Sequence, residues 1–230
     1  MRHAVVVTVL AAAMLAVPAL AVAAPGELFN STSSNWSGYA ATGGGFTSVS
    51  ASWTQPVATC GIGQTAASFW VGIDGDGSKT VEQIGTYANC TSANVPQYYA
   101  WFEMYPNPAY KTSYPVVPGD TMSASVSVDR VGRFTLSITD ATQHWTASTT
   151  QRSTSAQFAS AEVIAEDPSN SSGMVPLTNF GSVTFTGAKA NGVVLDTLAP
   201  DRIDMVSAGV TKASTGPLNN GSFAATWKHN

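Results

Sequence analysis

Apolar side chains recur at every second position along most of the chain. Val49, Ala51 and Trp53 alternate with serines, as do Met122, Ala124, Val126 and Val128. The same spacing runs through Phe134, Leu136 and Ile138, through Val183 and Phe185, and through Phe223, Ala225 and Trp227. A period of two marks a strand with one face buried and the other wet. Gly, Pro, Asn and Asp separate the runs, as turns require. Val128 to Phe134 reads as a hairpin connection. No stretch carries a capped stripe of helical period. Many strands without helices predict an all-β domain, a sandwich or barrel of antiparallel sheets, because each sheet must bury one face against another.

Three segments place chemistry on such strands. Trp70-Val71-Gly72-Ile73-Asp74-Gly75-Asp76 puts Trp70 and Asp74 on one face. Trp101-Phe102-Glu103-Met104-Tyr105 puts Trp101, Glu103 and Tyr105 together and turns Phe102 and Met104 toward the interior. In Glu162-Val163-Ile164-Ala165-Glu166 the two carboxylates share a face, about 13 Å apart at strand rise, too far for a direct pair. One face is therefore core, and the other sets carboxylates among large aromatics, with Trp36, Trp70 and Trp101 read as groove residues. Asp74 to Ser78 resembles the start of a calcium loop. Lys79 and Gly85 stand where that loop needs Gly and Glu, which predicts a tight turn instead.

Only 10% of residues are charged, 14 acidic against 10 basic, so Ser, Thr, Asn, Gln and Gly must carry the surface. No basic patch is visible, which excludes nucleic acid as a partner. Few carboxylates also means little stability lost to protonation, the composition expected of a protein that tolerates acid. Arg2 and His3, the apolar run Ala4 to Leu20 and the small residues Ala21-Val22-Ala23 read as a signal peptide over 1–23. A short leader, 24–33, and a single domain, 34–230, follow. The mature protein is expected to be extracellular, free of the membrane and monomeric. Cys60 and Cys90 then predict one disulfide, closing the segment from Trp70 to Gln83. The histidines are His3, His144 and His229, with no paired His or Cys spacing, so neither metal nor cofactor is expected.

Taken in order, these pieces resemble the glutamic peptidase, or eqolisin, family. The matching segments are Ser34-Asn35-Trp36-Ser37-Gly38, Val49 to Pro56, Trp70 to Asp76 leading to Gln83, Tyr99 to Pro106, Gly119-Asp120, Ala161 to Asp167 and Asn179 to Phe185. The resemblance implies two packed antiparallel sheets of the concanavalin A-like, jelly-roll type, with a catalytic Gln and Glu on the concave sheet. Carried over by position, these fall on Gln83 and Glu166. Trp36, Trp70, Asp74, Trp101, Glu103 and Tyr105 would line or order the substrate groove. The spacing from Asp76 to Gln83 is one residue shorter than the family pattern and lacks its cysteine, which keeps Gln55 and Gln64 as rivals to Gln83. Val163 stands where the family has tryptophan.

The residue types suit acid-side peptide hydrolysis. A carboxylate can take a proton from water attacking a peptide carbonyl and return it to the leaving amine. A glutamine amide can hold that water and donate to the developing oxyanion. Glu166 must ionise in acid for this, which calls for hydrogen bonds to its charged form. Two other readings use the same face: a sandwich-fold glycoside hydrolase with Glu103 and Glu166 as its carboxylate pair, and a lectin-like binding module without turnover.

Overall fold

The computed structural model describes residues 30–170 and 173–229, so the predicted signal peptide and leader residues 24–29 lie outside it. The first strands are β1 (Asn30–Ser33), β2 (Trp36–Thr42), β3 (Ser48–Thr54), β4 (Thr65–Ile73), β5 (Val81–Cys90) and β6 (Pro96–Tyr105). Next come β7 (Tyr110–Lys111), β8 (Thr121–Val128), β9 (Arg133–Asp140), β10 (Trp145–Arg152) and β11 (Ser160–Glu166). The C-terminal part adds β12 (Ser169–Asn170), β13 (Gly173–Met174), β14 (Ser182–Ala190), β15 (Val193–Val194), β16 (Asp201–Ser207), β17 (Val210–Thr215) and β18 (Phe223–Trp227). A 3-10 helix at Leu195–Leu198 is the one helical element among the described residues.

The strands form a sandwich. One layer runs β10-β9-β8-β3-β14-β18, the other β2-β11-β4-β5-β6-β7, and β17 and β16 carry the hydrogen-bonded ladder from the first to the second. Pairing along this path is antiparallel throughout; β1 adds to β16 in parallel. Asn30–Ser33, read from the sequence as leader, thus belong to the strand framework ahead of Ser34. The expected hairpin joins β8 to β9, with Asp129 Oδ1 accepting from the amides of Val131 and Arg133. Cys60 and Cys90 are joined, tying the loop after β3 to the end of β5.

The alternating apolar positions of β3, β8, β9, β14 and β18 all face between the layers, where they meet Phe69, Val71 and Ile73 of β4 and Val163 and Ala165 of β11. Each large side chain withdrawn from water there contributes about 1.5–3 kcal/mol. One buried polar atom bonds across the interface: Trp53 Nε1 donates to Thr86 Oγ1 at 3.0 Å. The second layer is apolar on its outer face too. There Ala40, Trp70, Val81, Trp101, Ile164 and Ile203 form a separate cluster flanked by Trp36, Tyr87 and Tyr99. Every residue of β4 is consequently buried.

Two glycines make room for that outer cluster. Gly85 pairs with Trp70, and a Cβ on it would lie 2.1 Å from the Phe69 carbonyl oxygen and 2.6 Å from Trp70 Cβ. A Cβ on Gly72 would meet the Trp70 ring at 2.8 Å. The indole of Trp70 packs beside Ile164 where Gly72 and Gly85 leave it room.

Candidate active site

Cross-strand register assembles the site. Glu166 pairs with Ser68, Ser68 with Tyr87 and Tyr87 with Tyr99, one row across β11, β4, β5 and β6. A second row reads Glu162, Gly72, Gln83 and Glu103. Between them lie Ile164, Trp70, Gly85 and Trp101. Over these rows opens a cleft of about 660 Å³, lined by Trp36, Ser68, Gln83, Tyr87, Tyr99, Trp101, Glu103, Tyr105, Lys111 and Glu166, with Ser31 to Ser33 of β1 along one side.

Glu166 is half-buried at the cleft floor with donors on both oxygens. Trp70 Nε1 donates to Oε2 at 2.7 Å, Ser68 Oγ to the same oxygen at 3.4 Å, and Asn35 Nδ2 to Oε1 at 3.0 Å. Trp36 braces the Trp70 ring edge-on at 5.1 Å. Burial nevertheless pushes the Glu166 pKa up to about 7; the indoles of Trp70 and Trp36 pull it down, and the charge of Glu103 adds to the rise. The hydrogen bonds expected from the sequence are present, but desolvation outweighs them.

Gln83 is 6% exposed, and its Nε2 donates to Glu103 Oε2 at 2.6 Å. Burial also raises the Glu103 pKa, against the Gln83 hydrogen bond. Tyr87 and Tyr99 stack at 5.0 Å, and Lys111 Nζ sits 4.1 Å from the Tyr99 ring centre. Tyr105 stands at the rim, half exposed. Among the described residues no group of His, Cys, Asp and Glu is placed to hold a metal.

Two expected groove residues sit elsewhere. Trp70 is fully buried and reaches the site only through its N–H, because Trp36 and the flanking strands cover its ring. Asp74 is also fully buried: Oδ2 accepts from the amides of Gln157 and Phe158 at 2.9 and 3.1 Å, and Oδ1 from Ala159 at 2.8 Å. β4 ends at Ile73, and the left-handed φ of 69° at Asp74 turns its side chain off the strand's alternation and onto the loop before β11. Glu162 shares the row of Gln83 but is sealed from solvent, and burial holds its pKa well above the ordinary value. Of the rival glutamines, Gln55 is buried beyond β3 and Gln64 is exposed before β4; neither lines the cleft. Sequence reasoning missed Asn35, Ser68, Tyr87, Tyr99 and Lys111. Ser68 was within reach, two residues before Trp70 on the same face.

The Peptidase A4 family model matches residues 34–227. Aspergillopepsin-2 of Aspergillus niger is 31% identical over 135 residues, 54% of this chain and 45% of that protein, so the match spans about half the length of this curated relative. Scytalido-glutamic peptidase, solved with a transition state analog inhibitor, superposes with a TM-score of 0.74 at 24% identity, over 86% of this chain and 100% of the other. Aspergilloglutamic peptidase from Aspergillus niger gives 0.59 at 26% identity, over 71% of this chain and 99% of its own. Matched by the family model from the first motif, Ser34-Asn35-Trp36, to the last strand, the chain belongs to the Peptidase A4 family, the glutamic peptidases.

Proposed function

We propose that this protein is an exported endopeptidase that hydrolyses peptide bonds on the acid side of neutrality, with Glu166 as general base and Gln83 as oxyanion donor. One observation carries the reading: a carboxylate with three donors and a glutamine amide lie in one cleft, on the strands either side of β4. The ionised Glu166 takes a proton from water as that water attacks the carbonyl carbon, then hands it to the leaving amine. Gln83 Nε2 has two N–H groups. Glu103 holds one, which fixes the amide so that the other can meet the oxyanion, an interaction worth about 3 kcal/mol. The aromatic walls suit the side chains of an extended peptide, and scytalido-glutamic peptidase has been solved with a peptide based transition state analog. The apolar N-terminal run and the disulfide support export.

Digestion of an unfolded protein substrate from about pH 2 to 7 tests the reading. The parent cuts it, while Glu166→Gln and Gln83→Ala each lose at least about a hundredfold with an unchanged circular dichroism spectrum. Near-normal turnover by a folded Gln83→Ala variant sinks the mechanism. A glycosidase pair would instead make Glu103 indispensable and leave Gln83 idle.

A further inference from the structure

The cleft is lined by three carboxyls, Asp76, Glu103 and Glu166, and by a single cation, Lys111. Lys111 pairs with Trp101, so its side chain stands on the cleft side of β7, while neighbouring Tyr110 packs on Phe102. Its ammonium rests 4.1 Å above the ring centre of Tyr99, which is itself stacked on Tyr87. This cation–π contact holds the charge over the cleft instead of in bulk solvent. The ion pairs among the described residues, Arg133–Asp129, Arg202–Asp204 and Lys212–Asp167, leave Lys111 without a carboxylate partner. Burial raises the proton affinity of all three cleft carboxyls, so on the acid side of neutrality the walls lose negative charge.

The position fixes which part of a substrate would meet it. The reacting centre lies over β4, between Glu166 on β11 and Gln83 on β5. Tyr99, under the ammonium, is on β6, two strand spacings or about 10 Å away. An extended peptide crossing the strands covers that distance in about three residues.

We propose that Lys111 selects substrates carrying a carboxylate about three residues from the bond cut, either an acidic side chain or a free chain end. The proposal rests on the peptidase reading and deepens it. Two peptide pairs test it at about pH 5, where a free Glu side chain is largely ionised. One pair has blocked ends and places Glu or Gln two to four residues from the cleaved bond; the other ends there in a carboxylate or an amide. Both kcat/KM and affinity, read from tryptophan fluorescence, are measured. The acidic member of the matching pair is favoured roughly fivefold, and the pair that responds names the source of the carboxylate. The ratio shrinks with added salt and below about pH 4, as the peptide takes up its proton. Lys111→Arg keeps the preference, Lys111→Met brings it to about one, and Lys111→Glu reverses it. A parent ratio near one in both pairs, or a preference that survives Lys111→Met, overturns the proposal. If no peptide is cut, the affinities still decide the role of Lys111, and the missing cleavage counts against the peptidase reading alone.

Discussion

Glu103 and Glu166 line one cleft, and the charge of Glu103 adds to the proton affinity that burial gives Glu166, so the state of one bears on the other. On the proposed mechanism the reactive form would have Glu166 bare, to take the water's proton, and Glu103 neutral, because a second negative charge beside Gln83 opposes the oxyanion. Activity therefore tracks the singly protonated pair and follows a bell on the acid side of about pH 7. Glu103→Gln, which keeps a hydrogen-bonding partner for Gln83, is expected to remove the falling limb and to leave the rising limb in place, because Glu103 is already uncharged where that limb lies, as measured by kcat/KM against pH. A loss of all turnover in that variant would favour the carboxylate-pair rival. Trp70→Phe deletes the 2.7 Å donor to Glu166 and should move the rising limb up in pH, with turnover at acid pH down about tenfold, as for a charge-assisted hydrogen bond. Gln83 and Glu166 were legible through motif order, and Glu103 through alternation. Asn35 was not, because a hydrogen bond across 131 residues of sequence leaves no local pattern; Ser68 could have been found by extending the alternation of Trp70 back two residues.

Strands with one wet face announced themselves, and β3, β8 and β9 lie where the alternation of apolar residues with Ser and Thr puts them. β4 was read as a strand only from Trp70 on, since both its faces are covered and its first half, Thr65 to Phe69, does not alternate in polarity. β1 carries no apolar pattern at all; Ser31 and Asp201 hold it through their side chains, and only the partner strand reveals it. Within β5, Gly85 is required by the close approach of β4. Gly85→Ala should force the strands apart and destabilise the fold by about 1–3 kcal/mol, checked by urea unfolding at fixed pH. Replacing both Cys60 and Cys90 by Ala opens a loop with a sequence separation of 30 and should lower stability by about 3–4 kcal/mol in the same experiment. A double variant as stable as the parent would mean that the strand pairing alone fixes this loop.

At the scale of the molecule, burial sets the response to pH. Asp76, Glu82, Glu103, Asp140, Glu162, Glu166 and Asp167 all hold their protons more tightly folded than free, with Glu82 and Glu166 brought to about 7. Asp129, in the exposed hairpin, moves the other way, to about 2. Below about pH 4 the seven are protonated in both states. Between about pH 4 and 7 the unfolded chain gives up protons that the folded one keeps, so stability falls as pH rises. Thermal unfolding should give the highest Tm near pH 4 and a decline toward neutrality. Glu162→Gln should flatten that decline; a Tm that climbs from about pH 4 to 7 would refute the assignment. The sparse charge seen in the sequence pointed to acid tolerance, but the burial of half the carboxyls, which makes acid the favoured condition, depends on tertiary packing. The ladder that turns the corner through β16 and β17 has a further consequence, in time. β2 lies between β11 and β16, and β3 between β8 and β14, so the N-terminal strands wait for partners made much later. Such distant closures are slow, because chain entropy is lost before contacts form. Asn35 and Trp70 can reach Glu166 only when β11 has slotted between β2 and β4. A growing chain thus holds Asn35, Trp70 and Gln83 long before β11 can bring Glu166 among them, so the proposed centre comes together only late in folding.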